Sequence, residues 1–232
     1  MKISILTLCP EAFDSFLRGR IIARAIDRGI ADIRIVDIRP FAGGSFRHID
    51  DSPIGGGAGM ILRPAPMLRA LDTVQTEGSF TAALTPSGLP YSQAMAHELA
   101  GKEHLILLCG HFEGMDARIL KRADREISVG DYVLSGGELP AMTVTDSIVR
   151  LLPGILRPAS TQEESFETGL LEYPQYTQPA DYEGDRVPDV LLSGNHEAVR
   201  RWRLEQSVRL TKERRPDLWE RARAQYPEFE DD

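Results

Sequence analysis

The run Leu105-Ile106-Leu107-Leu108-Cys109 is apolar at every position. A strand of that composition has no face to leave in water, so the chain must cover it on both sides. Parallel sheets flanked by helices are the usual solution. The remainder of the first two-thirds agrees. Ile3–Leu8, Ile33–Ile38, Thr81–Thr85 and Arg125–Val129 are short β-rich runs. Helical patterns lie between them. Phe13, Phe16, Leu17, Ile21, Ala25 and Ile26 recur at helical spacing, with Gly29 at a capping position. Pro64 and Pro66 open a helix that places Leu68, Leu71 and Val74 on one face. Tyr91–Leu99 follows with Ser92 as its N-cap, then Asp116–Ala123, then a helix from Leu139 to Leu152 that stops at Pro153-Gly154. This alternation predicts an α/β fold with a largely parallel sheet.

The pattern changes after Leu152. Residues 153–188 are rich in Pro, Glu, Gly, Gln and Tyr and have no sustained periodicity, which suggests a linker or a partner-ordered loop. Helical periodicity resumes at Asn195, and a second helix is expected after Pro216, where Asp217 supplies first-turn negative charge. The acidic tail EFEDD closes the chain. The expected division is a domain over 1–158, a linker over 159–188 and a helical domain over 189–232.

At 232 residues and 42% hydrophobic content the chain can bury a sizeable core. No stretch approaches the roughly 20 apolar residues of a membrane span. The first apolar run is stopped by Pro10 and Glu11, too early for a signal peptide. Cys9 and Cys109 make no disulfide framework and no zinc spacing, which fits a reduced, cytoplasmic setting. The net charge of −8 argues against non-specific coating of nucleic acid. Yet Arg200 to Arg215 carries seven basic residues against Glu205 and Glu213. Such a face suits a specific anionic partner, or is simply a solvated helix surface.

Glycine loops supply the candidate site. Three follow β-rich runs: Leu84-Thr85-Pro86-Ser87-Gly88, Cys109 to Gly114, and Val129 to Gly137. Ligands of open α/β sheets sit outside the carboxyl ends of the strands, so these loops nominate one pocket. Backbone amides and carbonyls with Val129, Tyr132 and Leu134, and few fixed cations, suit a purine and an aliphatic sulfonium better than a phosphate. A phosphate loop G-x-x-x-x-G-K-[ST] is absent. Gly55-Gly56-Gly57-Ala58-Gly59 approaches a dinucleotide fingerprint, but Asp50-Asp51-Ser52-Pro53 precedes it where an apolar strand should. A dehydrogenase is therefore the least supported reading, and a tight surface turn is the plain alternative for that loop.

Read together, CGHFEGMD (109–116), ISVGDYVLSGGELPAM (127–142), RHIDDSPIGGGAGM (47–60) and VLLSGNHEAVRRWRL (190–204) resemble the bacterial tRNA (guanine-N1)-methyltransferase family, TrmD, over nearly the whole chain. The resemblance implies a SPOUT fold with a deep trefoil knot, a homodimer, and a helical C-terminal domain that grips tRNA. It implies S-adenosylmethionine as methyl donor, contacted by Gly110 and by Val129, Gly130, Asp131, Tyr132, Val133 and Leu134, with Leu84, Pro86, Glu113, Gly136, Gly137 and Pro140 as neighbours. It also admits a Mg²⁺ requirement, for which no dense carboxylate cluster marks a site.

Guanine N1 is a poor nucleophile until it loses its proton, so a carboxylate base and a cation near O6 are needed. By resemblance the cation is Arg150, with an ordinary helix C-terminal cation as the alternative, and the base lies in Glu163-Glu164-Ser165-Phe166. Many family members have Asp before Ser-Phe where this chain has Glu164, which keeps the carboxylate and reaches one methylene further. Glu164 is the expected base and Glu163 the fallback, with linker surface charges as the alternative for both. The family often has His and Arg where Gln175 and Gln178 stand, which removes charge from a tRNA-facing segment. Arg200, Arg201, Arg203, Lys212, Arg214 and Arg215 remain for phosphate contacts. Asp50 and Asp51 are candidates to orient the guanine edge, with Gly59 as a further substrate contact, while Asp50 as a turn cap is the alternative. Two rival readings stand: a SPOUT methyltransferase acting at another RNA position, and a non-catalytic RNA-binding module.

Overall fold

The computed structural model describes residues 1–43, 48–157 and 163–229. Arg47, the expected boundary at 158–159 and the last three residues of the acidic tail lie outside them. The chain divides into two compact units, Met1–Leu156 and Arg157–Asp232.

The first unit opens with β1 (Lys2–Thr7) and a 3-10 turn over Pro10–Phe13. α1 (Asp14–Leu17) and α2 (Arg20–Asp27) follow where one helix was expected over 13–26. Gly19 separates them at φ −58, ψ 139, an extended conformation that ends one helix and starts the next. β2 (Asp32–Asp37) is followed by a two-residue ladder of β3 (Asp50–Asp51) with β4 (Ile61–Leu62), then α3 (Pro64–Val74). β5 (Phe80–Pro90), α4 (Gln93–Ala100), β6 (His104–Cys109), α5 (Ala117–Leu120), β7 (Arg125–Ser128) and α6 (Glu138–Val149) complete the unit. The caps follow their sequence signals. The Ser92 hydroxyl accepts from the Met95 amide, and Gly29 takes φ +65 beyond α2.

The five-stranded sheet has the order β2-β1-β6-β5-β7, and every pairing is parallel. β6 lies at its centre with all six residues buried. Alternate residues supply two cores. Ile3, Ile5, Leu105, Leu107 and Leu84 pack on one face against Ile22, Val144 and Ile148. Leu6, Leu8, Ile106 and Leu108 pack on the other against Met67, Leu71 and Ile119. The apolar composition of β6 thus forces two covering layers, and the sheet edges and loop ends are left for function.

β5 runs further than the expected Thr81–Thr85. Its pairing to β7 breaks after Leu84 and resumes at Leu89 and Pro90, opposite Ile127 and Ser128. A Cβ on Gly88 would lie 2.6 Å from the Glu126 carbonyl carbon, so only glycine admits this approach.

Asp116 caps α5 by accepting from the Arg118 amide at 2.8 Å and from the Arg118 guanidinium at 2.7 and 2.9 Å. The Arg118 hydrogen bonds hold its carboxyl down at about 2, below an ordinary 3.8. A depressed carboxylate contributes stability above its unfolded value, and that contribution is lost as pH falls through the folded one. Asp116→Asn is therefore expected to be less stable than the parent at neutral pH, by up to about 1 kcal/mol because Arg118 is largely in solvent. Urea midpoints taken from pH 6 to 2 check this, and the gap should close towards the acid end.

The second unit contains an irregular segment, a hairpin of β8 (Asp181–Tyr182) with β9 (Asp185–Arg186), α7 (Asp189–Leu192), α8 (His196–Arg214) and α9 (Pro216–Ala222). Leu170, Val208, Trp219 and Ala222 form its core. The Leu171 amide donates to the Thr211 hydroxyl at 2.9 Å, so part of the aperiodic segment is held within this unit. No described helix is long and apolar enough to cross a membrane.

Candidate functional site

The carboxyl ends of β5, β6 and β7 open into one cavity of about 170 Å³. All the residues expected to contact or neighbour a cofactor line it except Asp131. Gly130, at φ +156, turns the chain there and leaves Asp131 exposed. Among the described residues the lining contains no Lys or Arg, and Glu113 is its one carboxylate. Apolar rims stand in water: Val133 is 83% exposed and Phe112 46%.

Close backbone approach builds the wall. The Gly137 amide donates to the Gly110 carbonyl at 2.8 Å. A Cβ on Gly137 would lie 2.5 Å from Cys109 Cα and 2.7 Å from the Gly110 nitrogen, both main-chain atoms. The 111–116 loop is fastened to the segment before α3: the Glu113 amide donates to Met60, Leu62 donates to Gly114, and Asp116 donates to Leu62, at 2.9–3.1 Å. Gly59 abuts Glu113, whose Cδ would lie 2.8 Å from a Cβ placed there. Asp50 pairs with Leu62 in the β3–β4 ladder. Its neighbour Asp51, and not Asp50, accepts the turn hydrogen bond, from the Ser52 amide at 2.9 Å.

The sequence reading missed a buried polar cluster behind His111, which lines this site. Glu138, the first residue of α6, is only 8% exposed. It accepts from the Thr7 hydroxyl at 2.6 Å, and its other oxygen lies 3.7 Å from His111 Nδ1. That ring nitrogen is buried with no hydrogen-bond partner. The helix N-terminus favours the negative charge. A first-turn acid in sequence normally implies a solvated residue, so only the tertiary approach of β1 reveals this one. Burial raises the Cys9 and Cys109 thiols, and nearby Glu138 adds to the effect, so both are poor nucleophiles.

Arg150 caps the C-terminus of α6, where its amide donates to the Asp146 carbonyl at 3.1 Å. In the second unit the two expected carboxylates differ. Glu163 Oε2 accepts from the Tyr173 hydroxyl at 2.7 Å and pairs with Arg203 at 3.5 Å. Burial, followed by this hydrogen bond, pushes Tyr173 up to about 12 and keeps it a donor. Glu164 is half-buried in the adjoining turn, where its carbonyl accepts from the Glu167 amide.

The basic run of α8 is partly committed. Lys212 donates to the Phe229 carbonyl at 2.6 Å and lies over the Trp219 ring, and Arg215 makes a fork with Asp217. Arg203 is stacked on Tyr173, and Arg201 pairs with Glu205. Among the described residues, Arg200 and Arg214 have no ion-pair partner. No group of three or more His, Cys, Asp or Glu among the described residues could hold a metal ion.

Comparison with known proteins extends this picture. The family model described as tRNA (Guanine-1)-methyltransferase TrmD matches residues 1–221. A tRNA (guanine-N(1)-)-methyltransferase of Geobacillus kaustophilus is 51% identical over 222 residues, 94% of this chain and 91% of the relative. One from Dictyoglomus turgidum is 48% identical over 222 residues, 95% and 91% of the two chains. One from Clostridioides difficile is 48% identical over 228 residues, 96% and 99%. A family match spanning all the pocket loops, with relatives about half identical along nearly their whole lengths, leaves one conclusion: the chain belongs to the tRNA (guanine-1)-methyltransferase family.

Proposed function

We propose that the chain transfers a methyl group from S-adenosylmethionine to N1 of the guanosine immediately 3′ of the anticodon in tRNA. The observation that carries this reading is the gathering of the three strand-end loops around a cation-free pocket in a member of this family. Backbone groups of 110, 129–130, 132–134 and 136–137 would hold the adenosine portion, and Glu113 and the apolar rim suit a positively charged sulfonium. The bound cofactor supplies an electrophilic methyl. The protein's part is to align the guanine, remove its N1 proton and neutralise the charge that develops at O6.

Glu164 is the base in this reading, and Arg150 the cation facing O6. Glu163 is held by Tyr173 and Arg203, and it remains the fallback for the base. Asp50 and Gly59 border the guanine, and the exposed cations of α8 contact tRNA phosphates. The reading includes a trefoil knot around the cofactor, a homodimer, a division into catalytic domain, linker and tRNA-binding helices, and work in the reduced cytoplasm, with which two free cysteines are consistent.

Labelled methyl transfer to paired tRNA transcripts tests the proposal, one with guanosine 3′ of the anticodon and the other with adenosine. Label on the guanosine transcript alone is expected. Equal label on both would move the target to another RNA position. No label from folded protein would turn the case to a binding module.

A further inference from the structure

The second unit has a cavity of its own, of about 360 Å³, which the methyl-transfer reading does not use. Two aromatic rings meet there: Tyr176 and Trp202 have centroids 6.4 Å apart at 51°. Tyr176 is half exposed, which is costly for a ring that only fills a core. The amide side chains of Gln175 and Gln178 line the same cavity and can both donate and accept. Arg203 lines it as well, with its guanidinium 4.7 Å from the Tyr173 ring centroid. Its Nε is buried and lacks a hydrogen-bond partner. A buried charged donor without a partner is rare in folded proteins and calls for a physical explanation, which a polar group bound in this cavity supplies. Arg200, exposed and without an ion-pair partner, lies one helical turn before Arg203 on the same side of α8.

Flat faces, amide edges, an unfilled cationic donor and a flanking free cation match the chemistry of an unpaired nucleobase on its phosphate backbone. A peptide side chain would use the faces but not the amide edges and the phosphate-side cation together. We propose that this cavity is a base-binding site for one unstacked nucleotide of the RNA substrate. The base stacks on Tyr176 and Trp202, Gln178 and Arg203 Nε meet its polar edge, and Arg200 meets the adjoining phosphate. The inference rests on the reading of RNA as substrate, but not on the site or chemistry of methylation.

The test uses the full chain and an anticodon stem-loop RNA whose loop nucleotides are replaced one at a time by abasic residues. Trp202 emission is isolated by subtracting the spectrum of Trp202→Phe, which retains the Trp219 background. RNA is expected to change that emission. Tyr176→Ala, at an exposed ring, and Trp202→Ala should each weaken RNA binding about tenfold, with Trp202→Phe close to the parent. One abasic position should cause a similar loss in the parent and little further loss in Trp202→Ala, since base and ring then account for the same interaction. Losses that simply multiply at every abasic position would overturn the site, as would RNA binding that leaves Trp202 emission unchanged. Coupling without methyl transfer would retain the site and remove the enzymatic reading. Methyl transfer without coupling would remove the site alone.

Discussion

Gly137→Ala is expected to weaken S-adenosylmethionine binding by about tenfold to a hundredfold while leaving the second unit folded. The added Cβ would sit 2.5 Å from Cys109 Cα and 2.7 Å from the Gly110 nitrogen. Both atoms belong to the carboxyl end of the central strand, so no side-chain rotation relieves the overlap. Either the 135–138 turn or the strand end must shift, and the 2.8 Å bond from Gly137 to the Gly110 carbonyl goes with it. Overpacking of a tight site costs typically about 1–3 kcal/mol, and 3 kcal/mol corresponds to about 150-fold in affinity. Backbone strain is not the cause, because Gly137 has φ −81 and ψ −3, which alanine adopts freely. Gly101→Ala is the matched control. It has φ −79 and ψ −4, its nearest neighbour is 3.4 Å away, and it should bind like the parent. Calorimetric titration of the three proteins decides the matter. A Gly137→Ala protein with parental affinity would show that this approach does not shape the cofactor pocket.

Local chemistry wrote much of this fold plainly. β6 belongs at the centre because its run from Leu105 to Cys109 has no face to leave in water, and Ser92, Asn195, Pro64 and Pro216 mark helix starts that the structure keeps. What escaped depends on contacts distant in sequence. The break at Gly19 interrupts a periodicity that continues on both sides, so spacing alone cannot see it. β6 inserts between β1 and β5, and strand order is not encoded in any local pattern. The second half of β5 is paired only because Gly88 lets it lie against β7. The candidate pocket was legible because its glycines fall at strand ends. The buried Glu138 behind His111 was not, since its hydrogen-bond partner is Thr7, 131 residues away. The basic run on α8 gave the opposite lesson. Composition counts charges, whereas the structure commits Lys212 and Arg215 to partners within the same unit.

Glu164→Gln is expected to lower the single-turnover methyl-transfer rate about 10²- to 10⁴-fold, the range for losing a general base. The change keeps the shape of the side chain and removes its charge and basicity. S-adenosylmethionine affinity should not change, because a general base acts on the guanine proton and not on the cofactor. Glu163→Gln separates the two neighbouring acids. Its carboxylate accepts the Tyr173 hydroxyl and pairs with Arg203, so the amide should loosen that cluster and raise the KM for tRNA with a modest change in kcat. A base acts only in the chemical step, whereas a clamp acts in substrate binding, so the split between kcat and KM assigns each residue. If Glu164→Gln turned over like the parent while Glu163→Gln lost the large factor, the base would be Glu163. Tyr173 and Arg203 would then be the groups that hold it in place. If neither variant lost rate, no carboxylate of this turn takes the N1 proton, and the chain would depend on Arg150 and substrate alignment for its catalysis.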